Sequence, residues 1–310
     1  MAFKRSGVQI PYPPPTRSSG EPKVGLLPIA TVTVITTAHN SAATLRLVGL
    51  ALARQTVRPL EWIIADDGSD ASVREMLETL APGLPFPTVH VWQPHAGFRA
   101  ARSRNNAAYR SRGEILAFLD QDTVPAADWL AVHLNELGAR EVSLGEMVPL
   151  AEEEARGMAE ALTSGGEWDR WCTPAHRARL GRLHRKAVFY AWLRQLGLGL
   201  KAKPRLRSCN FALGRSLFFA VNGFDEAYVG WGQEDDDLGR RLYAFGARPL
   251  IRIASARVFH FPHPPRHPSA WKAGPNVARY QSGTPPTVCR RGLSDHPHPD
   301  VQVTRMGSSV

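Results

Sequence analysis

Cysteine is scarce in this chain: Cys172, Cys209 and Cys289 are the only three in 310 residues, far apart and odd in number. That excludes a disulfide framework and a zinc-finger spacing, and leaves isolated reduced thiols. Also lacking is an uninterrupted apolar run of the roughly 18 residues that a membrane-spanning helix needs. The start, MAFKRSGVQIPYPPP, has no apolar core of the kind a signal peptide carries. The sequence therefore predicts a protein on the cytoplasmic side. No internal repeat occurs. Carboxylates are absent from Ala175 to Arg207, a stretch that holds ten Lys or Arg.

What is present is a globular composition, 43% hydrophobic and 21% charged, which excludes a disordered chain. The length suits one large domain or two small ones. A net charge of +10 points to acidic partners: nucleic acid, anionic lipid or a phosphorylated ligand. No RNA- or DNA-binding motif accompanies the charge, so nucleic acid is not an expected partner.

Residues 1–29 are rich in Pro, Gly and Ser and read as a flexible arm. Residues 266–310, rich in Pro, His and Arg, read as a loosely ordered tail. Between them the pattern alternates. Strands are expected at Thr31 to Thr37, Trp62 to Ala65, Val89 to Trp92 and Ile115 to Leu119. Helices are expected at Ala42 to Gln55, Ala71 to Leu80 and Phe98 to Arg112. That is an α/β signature, a mostly parallel central sheet with helices on both faces. After residue 150 the alternation fades. A helix at Ala151 to Leu162, short strands at Asn210 to Leu213 and Leu217 to Val221, and a helix at Asp235 to Phe245 complete the pattern. Residues 30–150 and 151–265 thus read as two halves of one domain.

In an open parallel sheet, ligands bind beyond the carboxyl ends of the strands. Three polar clusters fall there: Thr37-Ala38-His39-Asn40, Asp66-Asp67-Gly68-Ser69-Asp70 and Asp120-Gln121-Asp122. Turn chemistry accounts for any one of them, but not for all three along one edge. Asp120 and Asp122, two residues apart at a strand end, can converge on one hard divalent cation such as Mg²⁺ or Mn²⁺.

The run Glu234-Asp235-Asp236-Asp237 is the other acidic constellation. One or two acids at a helix start complement its dipole; four in a row repel one another. They follow Gly230-Trp231-Gly232, and an aromatic face beside carboxylates suits a sugar. A carboxylate here can also serve as the general base for an attacking hydroxyl.

These segments carry a resemblance. VTVITTAHN, IIADDGSD and GFRAARSRNNAAYRSRGEILAFLDQD resemble glycosyltransferase family 2. CNFALGR and VNGFDEAYVGWGQEDDDLGRRL are similar to the C-terminal half of β-1,4-galactosyltransferases, and to bacterial chondroitin-type polymerases that combine both patterns. The match runs over roughly residues 31–265, and implies a nucleotide-sugar-binding half at 30–150 and an acceptor-binding and catalytic-base half at 151–265. It implies a GT-A fold, a nucleotide-sugar donor (usually UDP-linked), Mn²⁺ or Mg²⁺, inversion at the anomeric carbon, and a glycan or glycolipid acceptor.

Carried over singly, Thr37 (with Ala38 and His39 beside it) and Asp67 match uridine contacts. Arg99, Arg102, Arg104 and Asn105 match the basic segment around the nucleotide. Asp120 matches the carboxylate at the donor sugar and ribose, close to the metal, and Asp122 the metal ligand. Asp235 matches the catalytic base, with Glu234 and Asp236 beside it on the acceptor. Trp231, with Gly232, matches the acceptor platform. The family's late metal-binding histidine is His260 or His263.

Two other classes fit part of the pattern: a nucleotidyltransferase, and a non-catalytic sugar- or nucleotide-binding module. The first has no need of GWGQEDDD, and the second needs neither base nor metal. The basic segment Ala175 to Leu200 reads either as a core-facing amphipathic helix or as one lying on an anionic membrane surface.

Overall fold

The computed structural model describes residues 30–198, 202–264, 271–283 and 286–307. The expected arm, 1–29, lies outside them. The strands are β1 Val32–Ala38, β2 Glu61–Asp66, β3 Thr88–Trp92, β4 Ile115–Asp120, β5 Thr123–Pro125, β6 Glu141–Leu144, β7 Glu146–Pro149, β8 Asn210–Gly214, β9 Arg248–Ile251, β10 Arg257–His260 and β11 Gln302–Met306. The helices are α1 Ala42–Ala53, α2 Ala71–Leu80, α3 Ala100–Arg110, α4 Trp129–Leu134, α5 Glu152–Ser164, α6 Pro174–Gln195, α7 Arg215–Ala220, α8 Glu234–Ala244 and α9 Pro275–Gln281.

Eight strands form one sheet in the order β11-β3-β2-β1-β4-β8-β6-β9, and β5-β10-β7 form a second, three-stranded sheet. Strands β3, β2, β1 and β4 are parallel, whereas β8 runs antiparallel to both β4 and β6. The sheet is thus mixed and mostly parallel, with helices on both faces.

Strand alternation divides the core in two. Val34, Trp62, Ile64, Ala117 and Leu119 face α1, with its Leu45, Val48 and Leu52. Ile35, Ile63, Leu116 and Phe118 face α3, α7 and α8 through Ala101, Ala107, Phe218, Leu238 and Leu242. Each fully buried Leu, Ile or Phe contributes roughly 1.5–3 kcal/mol, so the period-2 pattern fixes the register of the strands that carry the site.

Two expectations are corrected. Leu217 to Val221, read as a strand, belongs to helix α7. A short apolar run does not itself distinguish a buried strand from a buried helix. Here β8 ends at Gly214, Leu217 and Phe218 enter the core together, and the Arg215 guanidinium covers the Phe219 ring one turn on. The tail is also more ordered than its composition suggests. Residues Gln302–Met306 pair antiparallel with β3, which covers an otherwise open sheet edge.

Asn210 fixes the two sheets relative to each other. Its Oδ1 accepts from Trp129 Nε1 at 2.8 Å and faces His133 Nε2 at 2.9 Å, while Nδ2 donates to the Glu146 and Ala256 carbonyls. Burial pushes His133 down to about 4, so at neutral pH this network is uncharged.

Candidate active site

Strands β1 and β4 are neighbours, and the chain leaves β1 towards β2 on the other side. The gap between β1 and β4 is therefore the switch point where an open sheet exposes a binding crevice. Thr37 and Asp120 are register partners there, and Thr37 Oγ1 donates to Asp120 Oδ1 at 2.7 Å. Gln121 joins the two strand ends, accepting from His39 N at 2.7 Å and donating to His39 O at 3.1 Å. Asp67 is buried, with its carboxylate accepting from Gln93 Nε2 and Arg99 N, both at 2.6 Å. The His39 and His95 rings stack 4.7 Å apart, and each Nδ1 approaches the Asp67 carbonyl. Gly68, at φ +83°, allows this turn: a Cβ there would collide with the His95 backbone.

The basic segment divides. Arg99 and Arg102 line a cavity of about 310 Å³, where Arg102 makes a bidentate pair with Asp300 at 3.1 and 2.5 Å. Arg104 is buried and bridges two acids, donating to Asp120 at 2.8 Å and to Glu234 at 3.3 Å. Asn105 does not face the nucleotide edge. Its fully buried amide donates to Phe224 O and Glu226 Oε1 and accepts from Phe224 N. It holds the loop before the acidic helix.

The small sheet assembles the metal-ligand candidates. Strands β5 and β10 pair with His260 opposite Thr123, and Phe261 N donates to the Asp122 carbonyl at 2.9 Å. This brings His263 Nε2 within 3.3 Å of Asp122 Oδ2 and His260 Nε2 within 4.0 Å of Oδ1. Ligand atoms of Asp122, His260 and His263 all lie within 4.8 Å of one another. One carboxylate and two imidazoles can hold a divalent cation such as Mn²⁺ when phosphate or water oxygens complete its ligand shell. Both histidines are brought in, not one of the two. Asp120 stands outside this group, with Oδ1 held by Thr37 and Arg104.

The third component is the start of α8. Gly230, Gly232 and Gln233 all have positive φ, at +88°, +95° and +74°, and the loop they form leaves Trp231 exposed. Gly230 N donates to Phe98 O at 2.7 Å, and Asn276 of α9 donates to Gly230 O. Burial pushes Glu234 up to about 7, helped by repulsion from Asp235 and opposed by Arg104. Burial likewise raises Asp235. Asp236 rises to about 6 through burial and then Asp235, with Arg205, 3.4 Å away, pulling it down. Asp237 acts structurally, pairing at 2.7 Å with the fully buried Arg241, which donates to the Val221 and Gly223 carbonyls. Of the four acids, Asp237 anchors the helix through Arg241, while Glu234 and Asp236 pair with arginines from other elements.

A carboxylate whose folded pKa is raised contributes stability below its unfolded pKa and loses it as pH rises through the folded value. For Asp236 that window runs from about pH 4 to about pH 6. We expect Asp236→Asn to raise the thermal midpoint by a few degrees at pH 8 and to leave it unchanged at pH 3.5. Melting curves by circular dichroism check this. An equal shift at both pH values would show that the carboxylate is not held protonated by the fold.

Sequence reasoning missed the contributions of Gln93, His95, Gln121 and Arg205. Gln93, His95 and Arg205 lie in no pattern with chemical meaning of its own. Gln121 alone carried a signal, through its position between Asp120 and Asp122 at a strand end.

A family model for glycosyl transferase family 2 matches residues 33–182. A second, described as the N-terminal domain of galactosyltransferase, matches residues 193–264. Residues 33–182 carry a family 2 glycosyltransferase domain. The chain is 29% identical over 253 residues to validoxylamine A glucosyltransferase of Streptomyces hygroscopicus subsp. limoneus, covering 76% of this chain and 52% of that protein. It is 24% identical over 247 residues to chondroitin synthase of Pasteurella multocida (strain Pm70), covering 71% of this chain and 24% of the synthase. The chain thus spans about half the length of the first of these relatives and a quarter of the second. Among solved structures, GalNAc-T7 with UDP, GalNAc and Mn²⁺ superposes with a TM-score of 0.53 at 16% identity, covering 81% of this chain and 48% of that one. That likeness establishes the GT-A fold for this chain.

Proposed function

We propose that this glycosyltransferase moves a sugar, with inversion at the anomeric carbon, from a UDP-linked donor to a hydroxyl of a glycan or glycolipid. One observation carries the reading. Asp122, His260 and His263 converge on the edge where β1 and β4 part, and Arg104 links that edge to the acids of α8. Asp122, His260 and His263 would hold Mn²⁺ or Mg²⁺. Bound there, the ion would act as a Lewis acid that neutralises charge on the departing diphosphate.

The remaining work falls to the chain itself. Thr37 and Arg104 orient Asp120, placing a carboxylate for the donor's sugar and ribose hydroxyls. Asp67, fixed by Gln93 and the Arg99 amide, addresses the base. Trp231 offers its ring to the acceptor, and Glu234 and Asp236 bind acceptor hydroxyls. Asp235 takes the acceptor proton as that oxygen bonds to the anomeric carbon and the bond to phosphate breaks, releasing nucleoside diphosphate.

A donor screen with Mn²⁺, reading nucleoside diphosphate release and its stimulation by candidate acceptors, tests this. Pyrophosphate released from a nucleoside triphosphate and a sugar 1-phosphate, with no nucleoside diphosphate released from any nucleotide sugar, indicates a nucleotidyltransferase, and no turnover with either substrate set indicates a binding module.

We infer further that α6 rests on an anionic membrane surface. No helix among the described residues is long and apolar enough to cross a membrane, so the contact would be peripheral. The helix has a core-facing side and an exposed side. Leu180 and Ala187 are buried towards the core, whereas Val188, Phe189, Trp192, Leu196 and Leu198 are exposed. The Phe189 and Trp192 rings stack 6.0 Å apart, and Arg182, Arg185 and Lys186 are exposed nearby. Aromatic rings among basic residues suit the headgroup region, each cation adding about 1 kcal/mol near anionic lipid. Co-sedimentation should show binding to anionic vesicles that weakens with salt and is lost in Phe189→Ser/Trp192→Ser. No binding at low salt, or equal binding to neutral vesicles, overturns the anchor.

A further inference from the structure

A second cluster of ligating side chains lies outside the machinery described above. Glu226, in the loop before α8, is buried, and its two carboxylate oxygens face two imidazoles. His296 Nε2 lies 2.6 Å from Oε1 and His298 Nε2 lies 3.2 Å from Oε2. The rings are 4.2 Å apart, and one ligand atom from each of the three residues lies within 4.8 Å of the others. This is the composition of the Asp122, His260, His263 group, in a more compact arrangement, and the two groups share no residue.

We propose that Glu226, His296 and His298 form a second divalent-metal site, of a ligand set that suits zinc, which clamps the C-terminal segment to the loop that leads to Trp231. Two imidazoles and one carboxylate are a ligand set for zinc that leaves one position open. His298 and Glu226 line the same cavity as Arg99 and Arg102, and water from that cavity supplies the fourth ligand. The carboxylate is already oriented, because Asn105 Nδ2 donates to Oε1 at 2.9 Å. Such an outer contact fixes the ligand's direction before the ion arrives. His296 is packed against Tyr109, with ring centroids 5.8 Å apart, and its Nδ1 is buried with no hydrogen-bond partner among the described residues. Its tautomer is therefore set by what faces Nε2, where Glu226 draws a proton and a cation would replace it.

The position gives the clamp its purpose. Residues 289–296 are already tied to the 221–226 loop: Asn222 Nδ2 donates to Cys289 O and Ser294 Oγ, Leu293 N donates to Asn222 O, and Glu226 N donates to Arg291 O. The same loop continues through Tyr228 into Gly230 and Trp231. An ion on Glu226, His296 and His298 joins it to the segment that adds strand β11 to the sheet.

The test uses the full chain and zinc alone. Asp122→Ala disables the first cluster, so the variant, stripped with chelator, should still bind one equivalent of zinc in equilibrium dialysis. Adding His298→Gln, at a partly exposed position, should weaken that binding by at least 10-fold. Adding Glu226→Gln instead keeps the shape and the Asn105 contact and should do the same, which guards against a folding defect in the first variant. Zinc should raise the thermal midpoint of Asp122→Ala and leave that of either double variant unmoved. No zinc bound by Asp122→Ala, or equal binding after both further substitutions, overturns the proposal.

Discussion

Asp122→Ala is expected to lose metal-stimulated sugar transfer by roughly 10²-fold or more while keeping its fold, since Lewis-acid charge stabilisation is worth several kcal/mol. The backbone of Asp122 does structural work, accepting from Phe261 N, and alanine preserves that bond. Only the carboxylate that faces His260 and His263 disappears. The two imidazoles left behind hold an oxygen-loving cation weakly, because Mg²⁺ and Mn²⁺ depend on carboxylate charge. Nucleoside diphosphate release across a Mn²⁺ titration, beside a circular dichroism melt, measures both halves of the claim. Near-normal transfer by either protein in chelator-treated buffer would remove the metal from the mechanism.

Asp235→Asn is expected to keep donor binding and to lose transfer by roughly 10²–10⁴-fold, the usual worth of a positioned base. The acids flanking it each carry an ion pair, Glu234 with Arg104 and Asp236 with Arg205, and keep their remaining oxygens for acceptor hydroxyls. Burial raises Asp235 above the ordinary carboxylate range, which strengthens it as a proton acceptor. Asparagine keeps the shape and removes only that capacity. Normal transfer by Asp235→Asn together with a dead Glu234→Gln or Asp236→Asn would move the base to a neighbour. Donor affinity, measured separately by calorimetry, keeps a binding defect from being mistaken for a chemical one.

The parallel half of the fold was legible because its strands carry apolar residues on both faces and end in polar clusters. Thr37, Asp67 and Asp120 fall where that pattern put them. The second half was harder to read for physical reasons. Leu217 to Val221 is too short for its periodicity to choose between helix and strand. Strand β11 follows a Pro- and His-rich stretch that hides its five residues, and it exists because β3 offers an edge. At the site, Asp122 could be nominated from its neighbours in sequence. His260 and His263 needed the β5–β10 pairing to be placed beside it. Arg104 reads as one basic residue among several, and nothing in its sequence context shows that it ends up buried between two acids.

That guanidinium has a thermodynamic consequence. Asp120 closes strand β4 and Glu234 opens helix α8, and both lean on the same buried cation. The proton affinity of Glu234 is therefore set from both ends of that link, Arg104 lowering it and Asp120 raising it. A cation brought beside Asp120 offsets the repulsion from that carboxylate, and reciprocity gives the state of Glu234 an equal free energy of influence on the cation. Occupancy at one end of the crevice is thus registered at the other without any displacement of the backbone.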